Sequence, residues 1–385
     1  MNAFITAVSA LLPGSPVDNE MLDDYLGPVT GVSARTRQII LNNNGITSRY
    51  YALDPATGKN THTNAQLAAG AVRLLRSDNQ LAKLALECLC CGTSSPDQIM
   101  PGHGSMVHGE LAEVGPCEVI STAGICLSGI TALKFGALSV ANGLTKNAVA
   151  TGSELASSFM RAGFFQTMSG GNQANDKGGR HPAFTFEADF LRWMLSDGAG
   201  AVLIENEPAQ DGLSLRIDWI EILSHAHHLE TCMYAGGLKE EGGGLTGWRQ
   251  LAVTGGLDGR GAMTIKQDAR LLNQEIIRAS IHDSLPTAIA KHGLQPQEVD
   301  WFLPHYSSAY FRKPVMTGLE EINFSIPEER WFTNLSTKGN TGSASFYIML
   351  EELFSSGKLS KGQRLLGMIP ESGRFAVGWI AMTVM

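Results

Sequence analysis

Residues 119 to 136 read VISTAGICLSGITALKFG, and this stretch decides the fold. An apolar run with β-branched residues stops at Gly124, and apolar residues recur at helical spacing once Cys126 has passed. A strand that turns directly into a helix predicts one βα unit with a thiol at its turn. Cys126 is then either a small buried hydrophobic residue or a nucleophile held where the helix begins.

The predicted helix, residues 127 to 142, has an apolar stripe flanked by glycine and alanine, which indicates burial on every side. The first turn of a helix presents N–H groups without partners and a partial positive charge. We therefore expect the thiolate of Cys126 to be favoured over the thiol. The same N–H groups could hold an oxyanion, so the turn is suited to thioester exchange.

Strands and helices alternate along the rest of the chain, which predicts an α/β protein with a mainly parallel central sheet. The elements before Pro208 have a similar order to those after Gly212, although no repeat of residues is visible. We place two similar halves at residues 1–207 and 208–385. Two local predictions follow: residues 169–181 form a mobile loop, and the stretch WFTNLS, residues 331–336, forms a strand.

The composition of the 385 residues excludes several classes of protein. A net charge of −8 without clustered lysine and arginine argues against nucleic acid as a partner. No apolar run approaches the roughly 20 residues of a membrane span, and the start of the chain lacks a basic leader, so we expect a cytoplasmic protein. The six irregularly spaced cysteines indicate free thiols in a reducing compartment.

Two groups of residues could bind a metal ion, but each has a simpler interpretation. Cys88 and Cys91 form a C-x-x-C motif within LALECLCC, which is nearly all apolar and predicts a buried strand. His225, His227 and His228 could hold zinc, yet their spacing is typical of a half-exposed strand. We expect no metal and no cofactor.

Two residues far along the chain could assist a nucleophilic cysteine. His305 follows Pro304 at the end of the apolar strand in VDWFLPHYSS. Asn340 lies between two glycines in TNLSTKGNTGSAS, just before a predicted helix. Each pattern alone is also typical of a structural histidine or of a turn asparagine.

Four motifs, STAGICLSG, LPHYSS, KGNTGSAS and ESGRFAVGW, resemble in this order the ketoacyl-ACP synthase III family of condensing enzymes. The resemblance covers nearly the whole chain and implies a homodimer with the thiolase fold, in which two similar βαβ-rich halves form a five-layered α-β-α-β-α sandwich. By the motif match, Cys126 accepts the acyl group. His305 and Asn340 hydrogen-bond the donor thioester as it becomes an enolate, and Gly373 supplies an N–H group to the acyl oxyanion hole.

Two departures from the family pattern bear on substrate binding. Asn43 stands where the family usually has an arginine that clamps coenzyme A, which favours an acyl carrier protein over acyl-CoA as the delivery vehicle. Ser372, Gly373 and Arg374 replace a run of three glycines. Arg374 could pair with a substrate carboxylate or with a neighbouring acid, and Phe375 is a further candidate for substrate binding.

Glu154, in TGSELASSF, follows a predicted strand. It is either a salt-bridged or capping carboxylate or a second general acid/base near the cysteine. The segments NNNGI, RYYALD and THTNAQLAA look like the branch of the family that assembles cyclohexane-1,3-dione precursors of dialkylresorcinols and bacterial stilbenes. The resemblance thus implies condensation of two acyl thioesters followed by ring closure. The alternatives are an initiating synthase that uses malonyl-ACP, a Cys126-dependent acyltransferase to an alcohol or amine, and a non-catalytic partner subunit.

Overall fold

The computed structural model describes residues 2–28, 33–76, 84–168, 190–240, 242–255 and 261–385. The segment predicted as a mobile loop, residues 169–181, lies outside these ranges. In chain order, the strands are β1 (Phe4–Leu11), β2 (Val17–Asp18), β3 (Ser48–Arg49), β4 (Cys88–Thr93), β5 (Glu118–Ala123), β6 (Asn147–Glu154), β7 (Gly198–Glu205), β8 (Leu215–Ser224), β9 (Met233–Tyr234), β10 (Gly237–Lys239), β11 (Leu245–Gly247), β12 (Lys266–Gln267), β13 (Trp301–Pro304), β14 (Arg364–Glu371) and β15 (Ala376–Val384).

Thirteen α-helices lie within the described residues. They are α1 (Leu22–Leu26), α2 (Ala34–Asn44), α3 (Asn64–Leu74), α4 (His103–Glu110), α5 (Ser128–Ala141), α6 (Ser157–Met160), α7 (Ala162–Met168), α8 (Trp248–Val253), α9 (Ala269–Ile277), α10 (Leu285–His292), α11 (Arg312–Glu321), α12 (Leu335–Lys338) and α13 (Ser345–Ser355). A turn of π-helix, Arg278–Ser284, joins α9 to α10. The helix predicted after Cys126 is confirmed as α5, with ends that differ by one residue.

The main sheet has nine strands in the order β13-β14-β15-β8-β1-β7-β6-β4-β5. Its N-terminal part (β1 and β4–β7) and its C-terminal part (β8 and β13–β15) repeat one pattern. In the N-terminal part β1 pairs antiparallel with β7, β7 pairs antiparallel with β6, and β6, β4 and β5 are parallel. In the C-terminal part β8 pairs antiparallel with β15, β15 pairs antiparallel with β14, and β14 and β13 are parallel. The two parts meet where β1 pairs with β8. The boundary predicted between residues 207 and 208 stays a prediction; it falls in the connection from β7 to β8.

Three expectations about the strands are wrong. The sheet is mixed rather than mainly parallel, because connections such as residues 372–375 between β14 and β15 are far too short for a parallel crossover. Residues 331–336 form no strand: Trp331 makes a single bridge to Phe302, and α12 begins soon after. Strand β8 ends at Ser224, and the histidines that follow form a turn in which Leu229 N–H donates to the carbonyl of His225.

Three hydrophobic clusters separate the layers. The central one holds helices α5 and α13 between the two parts of the sheet. One outer cluster packs α3 and α4 on the far face of β4, β6 and β7, and the other packs α9 and α11 on the far face of β14 and β15. The layers are therefore helices, sheet, helices, sheet and helices, which confirms the five-layered α/β sandwich.

Strand β4 shows why its cysteines are structural. Cys88 and Cys90 face the central cluster, whereas Leu89 and Cys91 face the outer one, and all four are fully buried. The prediction of a buried strand is confirmed, and the six cysteines are free thiols. Within the described ranges, none of the helices combines the length and the apolar character needed to cross a bilayer.

Gly129 provides a test of the packing between α5 and the chain around Ser343. A Cβ atom there would lie 2.4 Å from the carbonyl oxygen of Ser343. We expect Gly129→Ala to lower the free energy of unfolding by about 1–3 kcal/mol, because overpacking forces the backbone to move. The exposed Gly109 in α4 has no atom within 4 Å of an added Cβ, so Gly109→Ala should raise stability by about 0.5–1 kcal/mol. Chemical denaturation measures the free energy of unfolding of both variants, and an equal loss of it in Gly129→Ala and Gly109→Ala would contradict the packing argument.

Candidate active site

One cavity, of about 480 Å³, brings together most of the residues that the sequence singles out. Cys126, His305 and Asn340 all line it. Glu154, Gly373 and Arg374 line it as well. Its remaining walls are mostly apolar. The structure thus gathers side chains from distant parts of the chain around one space large enough for a small-molecule group.

Cys126 lies in the turn that leads from β5 into α5, and it is 9% exposed. Two hydroxyl groups fix this turn. Ser128 Oγ donates to the carbonyl of Ile125 at 2.8 Å, and Thr122 Oγ1 donates to the carbonyl of Ser128 at 2.8 Å. The thiol is therefore held by a rigid turn at the edge of the cavity.

Glu371 changes the electrostatics that the sequence predicts for Cys126. Its Oε2 atom accepts hydrogen bonds from the N–H groups of Ile125, at 2.9 Å, and Leu127, at 3.2 Å. Burial raises the pKa of the Cys126 thiol, and the charges of Glu371 and Glu154 raise it further. The expectation that the helix end favours the thiolate is therefore wrong for the unliganded site. Sequence reasoning missed Glu371, although an acid that ends the apolar strand RLLGMIPE could have signalled it.

His305 follows β13, and its backbone N–H donates to the carbonyl of Met368 at 2.8 Å. This bond continues the parallel pairing of β13 with β14 by one residue. The side chain is buried, and burial lowers its pKa to about 4. The imidazole is consequently neutral near pH 7 and offers one N–H donor and one nitrogen acceptor.

Asn340 is held in its loop by backbone bonds on both sides. Its N–H donates to the carbonyl of Met194 at 2.9 Å, and its carbonyl accepts from Ser196 N–H at 2.8 Å. The side-chain Oδ1 accepts from Gly342 N–H at 3.0 Å, which turns the amide NH₂ group away from that contact. Gly339 precedes it with φ +70° and leaves no room for a Cβ, which would lie 2.9 Å from Ser196 Cβ.

Glu154, at the end of β6, is almost completely buried and bound by four donors. Its Oε1 accepts from Ser94 N–H and from Ser343 Oγ, both at 2.8 Å. Its Oε2 accepts from Ser94 Oγ at 2.6 Å and from Ser95 Oγ at 3.2 Å. Burial raises the pKa of the carboxyl, and the four donors oppose that rise. This set of bonds favours a structural carboxylate that ties three segments together over a second general acid/base.

The turn between β14 and β15 forms part of the rim. Gly373 accepts from Cys232 N–H at 2.8 Å through its carbonyl, and it lines the cavity. Arg374 is exposed and donates from Nε to the carbonyl of Leu229 at 2.9 Å. It makes no salt bridge with any acid among the described residues. Phe375, expected to bind substrate, lies elsewhere: its ring is fully buried in the outer hydrophobic cluster, because φ of +56° turns it away from the cavity.

The remaining candidates lie outside the cavity. Asn43 is exposed on α2. His225 is buried, and its Nε2 lies 2.9 Å from Ser284 Oγ. His227 and His228 contact each other. Within the described part of the chain, no three potential metal ligands come together.

Comparison with known proteins agrees with the fold and the motifs. Residues 289–372 match the family model of the 3-oxoacyl-[acyl-carrier-protein (ACP)] synthase III C terminal. The β-ketoacyl-[acyl-carrier-protein] synthase III of Deinococcus deserti is 24% identical over 382 residues, covering 99% of this chain and 90% of the relative. The enzyme of that name from Rhodobacter capsulatus is 24% identical over 370 residues, covering 95% and 94%.

Solved structures match this fold over the full chain. A single-residue variant of Xanthomonas campestris OleA has a TM-score of 0.75 and 20% identity, covering 100% of this chain and 98% of that one. AbyA1, a tetronic acid condensing enzyme, has a TM-score of 0.72 and 17% identity, with 99% of each chain covered. FabH from Pseudomonas aeruginosa has a TM-score of 0.70 and 17% identity, covering 100% and 98%. The chain is therefore similar to ketoacyl-ACP synthase III enzymes over nearly its whole length, and it has the fold of these solved condensing enzymes.

Proposed function

We propose that this enzyme takes an acyl group onto Cys126 and joins it, through a carbon–carbon bond, to a second acyl thioester. The observation that carries the proposal is that Cys126, His305 and Asn340 line one cavity. Acyl transfer followed by enolate attack requires a nucleophile for the acyl group and hydrogen-bond donors for a developing oxygen anion. A thiol, a neutral imidazole and an amide around one space meet both needs.

The first half-reaction loads the cysteine. The Cys126 thiol gives up its proton, its sulfur bonds to the acyl carbon, and the thiol of the donor leaves with a proton. The N–H groups of Cys126 and Gly373 would hold the oxyanion of the tetrahedral intermediate, since both residues border the cavity. Loading before the second substrate reacts predicts ping-pong kinetics.

The second half-reaction forms the carbon–carbon bond. The α-carbon of the second thioester gives up a proton to water as its carbonyl takes on enolate character, and His305 and Asn340 donate to the enolate oxygen. Because His305 is neutral near pH 7 and Asn340 Oδ1 is already bound by Gly342, both groups are set to donate. The enolate carbon attacks the thioester on Cys126, and the Cys126 sulfur leaves as a thiolate and takes up one proton from water, which balances the proton lost from the α-carbon.

The apolar walls support an acyl chain as the group carried by Cys126. Met160, Leu272, Ile276 and Val315 are buried and face the cavity. Burial of an acyl chain in this cavity contributes about 0.8 kcal/mol of binding free energy per methylene group.

We extend the proposal to ring closure, giving a cyclohexane-1,3-dione precursor of a dialkylresorcinol or stilbene. The sequence segments quoted above support it, as does the fold shared with AbyA1, which is itself named a condensing enzyme.

An acyl carrier protein is the proposed carrier of both thioesters. The relatives are named for synthases of acyl-carrier-protein substrates, and the exposed Asn43 replaces the arginine expected for coenzyme A. Acyl-CoA is the alternative carrier. A homodimer and a cytoplasmic location complete the proposal. The family resemblance supports the homodimer, and the free thiols of the six cysteines support a reducing compartment.

An initiating synthase that decarboxylates malonyl-ACP is the second candidate, and the names of the relatives favour it. Carbon dioxide released from malonyl-ACP would identify this activity. Condensation of a 3-oxoacyl thioester without carbon dioxide release, with a cyclic product seen by mass spectrometry, would identify the ring-forming one.

Asn340→Ala separates the two half-reactions. We expect Cys126 of this variant to take up an acyl group normally, while condensation falls by about 10²-fold or more because one donor to the enolate oxygen is lost. Cys126→Ala should abolish uptake. Intact-protein mass spectrometry measures loading and product formation measures condensation, with Asn42→Ala on the exposed face of α2 as the control. Full turnover by Asn340→Ala would instead favour acyl transfer to an alcohol or amine.

Val315→Phe tests whether the apolar cavity holds the acyl chain. Val315 lies on α11 and is 2% exposed, so a phenylalanine must occupy cavity space. We expect loading of Cys126 by long-chain acyl thioesters to fall about tenfold or more, since overpacking costs about 1–3 kcal/mol, while acetyl loading is retained. Val315→Ala, which enlarges the cavity, should load both. An equal fall for short and long chains would show that the chain lies elsewhere.

The pH dependence of stability tests whether His305 is neutral. A pKa of about 4 in the folded state, below the ordinary 6.5, means that the unfolded chain binds the proton more readily. The free energy of unfolding that the neutral imidazole of His305 contributes is fully present above about pH 6.5 and is lost as the pH falls toward 4. We expect wild type to lose about 2 kcal/mol more than His305→Gln between about pH 7 and pH 4.5 in denaturant titrations. If wild type and His305→Gln lost the same free energy of unfolding over this pH range, the pKa of His305 in the folded state would not be lowered.

A further inference from the structure

Glu371 occupies the N–H groups on both sides of the nucleophile. It is the last residue of β14, and its Oε2 atom accepts from Ile125 and Leu127, which flank Cys126. Its Oε1 atom faces the backbone of Gly373, where an added Cβ would lie 3.3 Å away. The carboxylate therefore connects the cysteine turn to the strand that leads into the predicted oxyanion-hole glycine.

We propose that Glu371 is a positioning residue for Cys126, which fixes the cysteine turn through two N–H groups and cancels the positive helix end that would otherwise favour the thiolate. This inference rests on the proposed function, because positioning has a purpose only if Cys126 accepts an acyl group. The unliganded enzyme would then keep a neutral thiol, which resists alkylation and oxidation.

The groups around the cavity agree with this assignment. Glu371 on β14 and Glu154 on β6 are the carboxyl groups that act on the thiol, and burial raises the pKa of each. The titratable group from β13 is His305, which is neutral near pH 7. Glu154 is bound by three serines, whereas Glu371 binds the backbone beside the thiol. Glu371 is thus the carboxylate whose removal changes the helix end itself.

Two substitutions separate the charge of Glu371 from its hydrogen bonds. Glu371→Gln keeps an oxygen that accepts from both N–H groups but removes the charge. Glu371→Ala removes the charge and frees both N–H groups for the sulfur. The pH midpoint of Cys126 alkylation should therefore fall in the order wild type, Glu371→Gln, Glu371→Ala. We expect the midpoint to fall by about 1–2 pH units from wild type to Glu371→Gln, as for loss of a nearby like charge.

The experiment follows iodoacetamide modification of Cys126 against pH in the full-length protein, by peptide mass spectrometry, without substrate. Glu329→Gln, an exposed acid outside the cavity, is the control and should keep the wild-type midpoint. With an acyl thioester near pH 7, the loading rate of Glu371→Gln should equal or exceed that of wild type, whereas that of Glu371→Ala should fall below it, since only the amide still holds the turn.

Equal midpoints in wild type and both variants would overturn the proposal, as would a rise in either variant. If one variant fails to fold, as judged by its thermal transition, the midpoint of the other still decides. Because alkylation needs no acyl donor, failure of Cys126 to load in wild type would refute the proposed function while the alkylation midpoints still test Glu371.

Discussion

The site depends on close backbone contact at Ser343, where β6 and α5 meet the loop that follows Asn340. A Cβ on Gly152 would lie 2.2 Å from the Ser343 carbonyl oxygen, and one on Gly129 would lie 2.4 Å from it. Glycine at these positions lets β6 and α5 approach the chain just after Asn340. Ser343 Oγ then donates to Glu154, and Tyr347 Oη donates to the carbonyl of Gly129 at 2.8 Å. These contacts join the N-terminal part, which carries Cys126, to the C-terminal part, which carries Asn340, so packing and catalytic geometry are set together.

The second consequence of this packing is electrostatic. The reacting groups are buried, so ionisation is costly for each of them. Burial keeps His305 neutral and raises the pKa of the Cys126 thiol and of both neighbouring carboxyl groups. Neutral donors in such a site suit enolate chemistry, because the charge on oxygen is transient and donors aimed at it stabilise the transition state more than the substrate.

The sequence predicted those features that depend on neighbouring residues. The change from an apolar run to helical spacing located the βα turn at Cys126, and Gly339 and Gly342 marked the tight loop at Asn340. Features that depend on distant segments were missed or wrong. Glu371 contacts the cysteine turn although it lies almost 250 residues away along the chain. The strand predicted at residues 331–336 does not form, because α12 begins at Leu335. Phe375 was misplaced because its side-chain direction depends on a left-handed backbone conformation that its motif does not reveal.

The apolar cavity and the polar groups at Cys126 have different roles in the proposed reaction. After the first half-reaction the acyl chain is tethered to Cys126, so its burial adds no further affinity for the second substrate. Burial instead restricts the thioester carbonyl to one position near the N–H groups of Cys126 and Gly373. The second thioester then meets an electrophile whose rotational freedom is already lost, which lowers the entropic part of the barrier. Walls that fit the chain therefore act on the rate of condensation as well as on the choice of acyl group.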